Sequence, residues 1–284
     1  MRGSWMRGLR AVVDIFLPRV CVVCQRRLSL EEKHICGGCL EDMPLTRFHL
    51  LKHNPMADKF NGVIQKHLET FWSSGHFEVP YERYAFATAL FFYDTDTGYR
   101  RIPYQIKYHG NLRLGRHFGK MLGEEVSKAP WLQDADMIIP VPLHWRRRWF
   151  RGYNQAEVIA REVALSVGAP LRTDLLKRAR YTKTQTQLTI EEKSTNVSRA
   201  FTVSRPSDIP TPPENTPSDS KGTPNGLEDI PMLPDGVQCR HILLIDDVFT
   251  TGSTLLACFT ALREVFPASE VRISVATLGF VGRA

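Results

Sequence analysis

One run constrains this 284-residue chain more than any other: Ile242-Leu243-Leu244-Ile245-Asp246-Asp247-Val248-Phe249-Thr250-Thr251-Gly252-Ser253-Thr254. Four consecutive apolar residues bounded by acids read as a buried parallel strand. The two carboxylates come at its carboxyl end, the edge where open α/β sheets bind ligands. Hydroxyls and a glycine then lead into a helix whose first N–H groups have no partner in the chain, so the turn is a phosphate cradle. Adjacent carboxylates leaving a buried strand are costly unless something pairs with them, and ribose hydroxyls or Mg²⁺ are natural partners. No Gly-Lys pair follows, so this is not a Walker loop.

Around that run, strands and helices alternate. Residues 84–93 and 137–141 read as strands, 99–126 as helix broken near Gly110, and 154–167 as helix with Ala156, Ile159, Ala160, Val163 and Leu165 on its apolar side. Residues 241–245 and 271–278 read as strands on either side of a helix over 252–266. Such alternation predicts a parallel sheet with helices on both faces. Residues 177–200 are polar and read as a mobile loop ending in a strand over 200–203. Residues 204–236 hold eight of the 18 prolines, and six acids against Arg205 and Lys221. They read as a disordered insertion. Its acidity makes the rest of the chain more basic than the formal charge of +7, which suits a phosphorylated ligand or a nucleic acid.

Cys21 and Cys24, then Cys36 and Cys39, form two C-x-x-C pairs eleven residues apart. Two such turns close a tetrahedral four-thiolate shell, so a structural Zn²⁺ is expected, with Gly37 and Gly38 relieving the backbone of the second turn. The absence of paired spacings for Cys239 and Cys258 points to a reducing, cytoplasmic setting. Trp5, Leu9, Val12, Val13 and Phe16 fall at helical spacing, predicting an amphipathic helix before the knuckle. No apolar stretch is long enough to span a membrane. The expected organisation is a helix and zinc knuckle over 1–45, a connecting segment over 46–83, and the sheet domain over 84–284.

The strand, the two acids and the Thr/Gly loop resemble the phosphoribosyl pyrophosphate (PRPP) motif of type I phosphoribosyltransferases. Three further segments narrow the likeness: Val141-Pro142-Leu143-His144 followed by Arg151-Gly152-Tyr153-Asn154-Gln155-Ala156; Lys107-Tyr108-His109-Gly110; and Thr184-Gln185 with Leu188, Lys193, Asn196 and Phe201. With the knuckle in front, the order is similar to the ComF family, including its GntX-like members. The resemblance implies a type I phosphoribosyltransferase-like α/β fold with a small four-cysteine zinc domain. It also implies that Asp246 and Asp247 hold ribose hydroxyls and serve any catalysis, with Mg²⁺ accompanying PRPP. Thr250, Thr251, Gly252, Ser253 and Thr254 would hold the 5′-phosphate. Val141, Pro142, Leu143 and His144 would form the pyrophosphate loop, with Arg151 beside it, and 177–200 would be the closing loop.

ComF-type proteins are associated with natural transformation and with incoming single-stranded DNA, which makes DNA and other competence proteins expected partners. Two functions follow: a phosphoribosyltransferase whose acceptor the sequence does not name, or a non-catalytic nucleic-acid-binding adaptor with PRPP as a regulatory ligand. Arg146, Arg147 and Arg148 are either phosphate forks or a solvated basic turn. Trp145, Trp149, Phe150 and Tyr153 either pack at a domain seam or track a nucleic-acid strand.

Overall fold

A computed structural model describes residues 19–72, 81–178, 201–204 and 239–282. The N-terminal helix, nearly all of the 177–200 loop and of the 204–236 insertion lie outside the described residues. In chain order the elements are α1 (Gly37–Glu41), a 3-10 turn (Phe48–Leu50), α2 (Pro55–Trp72), β1 (Ala87–Phe92), a 3-10 turn (Gly98–Arg100), α3 (Arg101–Tyr108), α4 (Leu112–Val126) and β2 (Met137–Pro140). Then come α5 (Trp145–Arg151), α6 (Gln155–Val167), β3 (Leu176–Arg178), β4 (Phe201–Val203), β5 (His241–Phe249), α7 (Ser253–Arg263) and β6 (Arg272–Phe280).

The main sheet has the order β1-β6-β5-β2 and every pairing in it is parallel. Successive side chains of a strand point to opposite faces. Ile242 and Leu244 of β5 therefore join one apolar cluster with Phe60 and Ile64 of α2 and Phe259 and Leu262 of α7. Leu243 and Ile245 join another, with Leu114, Phe118 and Leu122 of α4 and Ile159 and Val163 of α6. Both faces of the sheet are thus covered by helices, as the strand–helix alternation predicts.

The knuckle is packed into this scaffold. Val22, Val23, Ile35 and Met43 belong to the same cluster as α4. Tyr99 donates its O–H to the Cys39 carbonyl at 2.8 Å, and Arg101 donates to the Val23 carbonyl. Gly98 is needed at this seam, because a Cβ there would lie 2.7 Å from the Val23 carbonyl oxygen.

Several expectations are corrected. Residues 46–80, which carry no clear pattern, contain an eighteen-residue helix, α2. Leu165 is 74% exposed, and Ala164 takes its place on the buried side of α6. Lys177 and Arg178 belong not to a loop but to β3, which pairs antiparallel with β4. Gly37 and Gly38 do not relieve a strained turn: neither has positive φ, and they open α1. Asp246 and Asp247 do not end β5, which continues to Phe249 alongside β6.

At the amino end of the sheet, His241 Nε2 lies 2.8 Å from Ser274 Oγ and its Nδ1 2.8 Å from Asp134 Oδ1. The constellation has the connectivity of a hydrolase triad, but Ser274 is wholly buried and no substrate reaches it. It acts as a clamp joining β5, β6 and the loop before β2.

A second polar pair is buried between the first 3-10 turn and α4. His49 Nδ1 sits 3.2 Å from Glu125 Oε2. Burial pushes the Glu125 carboxyl up to about 8 and pushes the His49 imidazole down. Burial therefore favours the neutral form of both groups, and neither His49 Nδ1 nor Glu125 Oε2 makes a hydrogen bond. A carboxyl raised on folding stabilises fully below its unfolded value near ~4.3 and loses that contribution as pH rises through the folded value. Glu125→Gln keeps a donor and cannot ionise. Its melting temperature relative to the parent should rise between pH 5 and pH 9; a constant difference would show that Glu125 is ionised throughout.

Candidate functional site

The site follows from unequal strand lengths. β2 ends at Pro140, opposite Ile245, with a last ladder bond from the Val141 N–H to the Ile245 carbonyl at 2.8 Å. β5 runs on, paired with β6 through Asp246–Thr277, Val248–Gly279 and Phe249–Phe280. On the β2 side the backbone of Asp246 and Asp247 has no strand beside it. A cavity of about 190 Å³ fills that gap.

Because side chains alternate, the two acids diverge to opposite faces. Asp246 joins the face of α7 and β3, close enough for its charge to act on Cys258 and Arg178. Asp247 joins the face of α3, where Lys107 Nζ stands 3.6 Å from its Oδ2, too far for a hydrogen bond. Each carboxylate also accepts the next backbone N–H: Asp247 N–H to Asp246 Oδ1 at 2.8 Å, and Val248 N–H to Asp247 Oδ1 at 2.9 Å. Burial first, and then the charge of Asp247, pushes the Asp246 carboxyl well above the usual carboxylate range.

Four cations face these two acids. Lys107, Arg147, Arg151 and Arg178 all line the cavity. Arg151 donates to Gln155 Oε1 at 3.3 Å, which holds it against the buried start of α6. Burial pushes the Arg178 guanidinium down, with the charge of Arg147 adding to it. Four cations crowded around two carboxylates leave a surplus of positive charge, an arrangement complementary to a polyanion.

The two loops are braced from elsewhere in the chain. Asn154 caps α6 by accepting the Ala156 N–H at 3.2 Å, and its Nδ2 donates to the Val141 carbonyl at 3.0 Å. It thereby ties the 141–144 turn to the helix. His144 points inward: its Nδ1 accepts the Arg146 N–H at 3.2 Å and caps α5, and burial keeps the ring neutral for that task. Gly252 caps α7 at φ +80°, with no side-chain cap, which leaves N–H groups of the first turn for a ligand. A Cβ at Gly252 would meet Phe249 at 2.9 Å, so glycine serves the fold of this loop before it serves ligand approach. Lys59 of α2 donates to the Thr250 carbonyl at 2.8 Å over the rings of Phe249 and Phe280.

Of the residues singled out in the sequence, Val141, Pro142, Leu143, Arg151, Asp246, Asp247, Thr250 and Thr254 line one cavity. Thr251, Gly252 and Ser253 shape the adjoining turn, where the two hydroxyls lie 2.7 Å apart. Lys107 stood in a family motif without a role, and Arg147 stood in a run of undecided purpose. Gln155 likewise stood in a family motif without a role, and Arg178 and Lys59 were missed. Arg178 precedes a polar stretch and Lys59 sits in a segment without a readable pattern, so neither advertised its place.

The second site is the knuckle. The Sγ atoms of Cys21, Cys24, Cys36 and Cys39 lie within 4.8 Å of one another, and those of Cys24 and Cys36 are 3.7 Å apart. A tetrahedral shell with Zn–S about 2.3 Å places its sulfurs about 3.8 Å apart. The cluster can therefore hold a metal ion such as zinc. The Cys39 N–H donates to Cys36 Sγ and, as the main cause, draws that thiol down to about 6, while burial pushes Cys39 up. Among the described residues no helix is long and apolar enough to cross a membrane.

No family model matches the chain. It is similar to Competence protein F of Haemophilus influenzae, at 22% identity over 253 residues covering 86% of this chain and 91% of that protein. It is also similar to DNA utilization protein YhgH of Salmonella typhimurium, at 27% identity over 54% of this chain and 56% of that protein. The same protein of Escherichia coli O157:H7 matches at 28% over 54% of this chain and 55% of that protein. For YhgH the match thus spans only about half the relative's length. These relatives support for this chain the ComF family that its motifs resemble.

The raised Asp246 has a consequence for stability. Ionising it in the empty pocket costs folding free energy, so its contribution is full below ~4 and is lost as pH rises through the folded value. Asp246→Asn removes that cost. In calorimetric melts at pH 7–8 the variant should be more stable than the empty parent, and the gap should close towards pH 4. A less stable variant at neutral pH would mean that Asp246 is a satisfied carboxylate.

Proposed function

We propose that this chain binds PRPP, or a related phosphoribosyl ligand, in the cavity at the end of β2, and that it serves natural transformation by handling incoming single-stranded DNA. The observation that carries the ligand reading is the convergence of two buried carboxylates and four cations on one gap beside a helix-opening Thr/Gly turn. In this reading Asp246 and Asp247 accept the ribose hydroxyls, with Mg²⁺ as a further partner. The α7 turn receives the 5′-phosphate on backbone N–H groups and the Thr254 hydroxyl. The 141–144 turn, Arg147 and Arg151 face the pyrophosphate, for which guanidinium forks are suited. The names of the relatives, Competence protein F and DNA utilization protein YhgH, support the transformation role.

As an enzyme, the site would act by position and charge. Loss of pyrophosphate from C1 leaves an oxocarbenium-like centre, which the acids stabilise while the arginines neutralise the departing anion. A nucleophilic acceptor would complete the transfer. The alternative, an adaptor that uses PRPP as a regulatory ligand, is favoured by one observation. Trp145, Trp149 and Phe150 are 62%, 83% and 87% exposed, so they do not pack at a seam.

Titration calorimetry with PRPP and Mg²⁺ tests the ligand. Asp246→Asn combined with Asp247→Asn should weaken both PRPP and ribose 5-phosphate. Thr254→Val should weaken both by roughly 10- to 150-fold, the cost of a charge-assisted hydrogen bond of about 1.5–3 kcal/mol. Arg147→Ala should weaken PRPP and spare ribose 5-phosphate, which has no pyrophosphate. Unchanged PRPP affinity across this set would refute the phosphoribosyl reading of the cavity.

We further infer that the knuckle holds one structural zinc ion through Cys21, Cys24, Cys36 and Cys39, a full shell with no position left for water. Chelator-washed protein should retain one zinc per chain by elemental analysis. Cys36→Ser should release it and lower the melting temperature of the whole domain, since Val22, Val23 and Ile35 share a core with α4. Protein that is fully folded and free of metal would refute this.

A further inference from the structure

From Thr97 to Gly123 the chain has no Asp or Glu, and it carries six Lys or Arg; from Met137 to Ala156 it again has no acid, with four arginines. These two stretches meet in space. Arg151, at the end of α5, lies 5.3 Å from the ring centroid of Tyr108 on α3, and Tyr153 donates its O–H to the Ile106 carbonyl. The result is one basic face, made by α3 and α5, bordering the phosphate cavity.

Large aromatic side chains stand out from this face. On α3, Tyr104 and Tyr108 are four residues apart, so they project from the same side. They are 52% and 60% exposed, with ring centroids 5.0 Å apart, and His109 lies 5.3 Å from Tyr104. On α5, Trp145, Trp149 and Phe150 extend into solvent. A face that is merely solvated carries its charge on long flexible side chains and buries its rings; single exposed apolar residues are ordinary, but five exposed rings among arginines are not. At the far end of α3, Tyr93, Arg100, Arg101 and Tyr104 line a second cavity of about 390 Å³ beside the knuckle. Its lining repeats the same chemistry: rings for a base, guanidinium groups for a phosphate.

We propose that the exposed side of α3, together with α5, is a track for single-stranded nucleic acid that runs from the cavity beside the knuckle to the mouth of the phosphate cavity. The cations follow a phosphodiester backbone and the rings stack on unpaired bases, the two features that bind single strands without regard to sequence. A duplex keeps its bases stacked inside and satisfies only the cations. This inference deepens the proposed function by placing the strand, and rests on it only for the ligand at the end of the track.

The test uses the full chain and a fluorescent oligo(dT), with binding followed by anisotropy at several salt concentrations. Tyr104→Ala combined with Tyr108→Ala, and Trp149→Ala combined with Phe150→Ala, should each lower affinity by roughly 5- to 150-fold per stacked base lost. Both variants replace exposed rings, so unchanged melting temperatures are expected, and PRPP affinity by calorimetry should be unchanged in the Trp149/Phe150 variant, whose residues do not line the phosphate cavity. Arg151→Ala, at the junction, should weaken both ligands. Asp246→Asn with Asp247→Asn should weaken PRPP and spare the oligonucleotide, so failure of the phosphoribosyl reading leaves a distinct signature from failure of the track. Oligo(dT) affinity that ignores both aromatic pairs overturns the proposal. So does duplex binding as tight as single-strand binding, or tighter binding to phosphatidylglycerol vesicles, which would assign the face to a membrane surface.

Discussion

A parallel sheet gives every strand's carboxyl end to the same edge, and what happens at that edge depends on where each strand stops. Here β2 stops opposite Ile245 while β5 continues for four residues against β6. That difference does three things at once. It leaves β5 without a neighbouring strand on one side, it opens a cavity at that place, and it buries two carboxylates there. The cations of α3, α5 and β3 then answer a charge problem that the strand ends created. The capping residues Asn154 and His144 hold the neighbouring turn so that the answer stays in position.

Much of this was legible because local chemistry was unambiguous. Ile242 to Ile245 can only be a buried strand, and two C-x-x-C pairs bring four sulfurs together. What escaped was set by distance in the chain. Lys59 reaches Thr250 from a helix 191 residues earlier, and Arg178 becomes a cavity residue only because β3 pairs with β4 across a long separation. The extent of β5 was misjudged for a related reason. Acids usually end strands, but the β6 ladder, which no local pattern reveals, carries the backbone past them. Leu165 misled in the other direction, since helical spacing assigns a face only to within a residue.

The knuckle and the sheet domain also trade roles. Four thiolates around a metal would anchor a segment with little core of its own, yet that segment's apolar residues complete the cluster beneath α4. Gly98 lets the two surfaces meet at van der Waals distance from the Val23 carbonyl. The knuckle is therefore a wall of the domain as much as an appendage, and Arg101, which lines the recess beside it, donates to the knuckle's Val23 carbonyl.

The divergence of Asp246 and Asp247 to opposite faces makes the pocket a proton-coupled one. Empty, it holds the Asp246 carboxyl well above the usual carboxylate range on one side of the sheet and sets Lys107 near Asp247 on the other. Any ligand or cation that requires both carboxylates ionised must expel a proton as it enters. Occupancy then responds to acidity as well as to ligand concentration, and the heat of binding includes the ionisation heat of whatever buffer accepts that proton. For the proposed ligand, acidity would then be a second input to the site, through one side chain at the end of one strand.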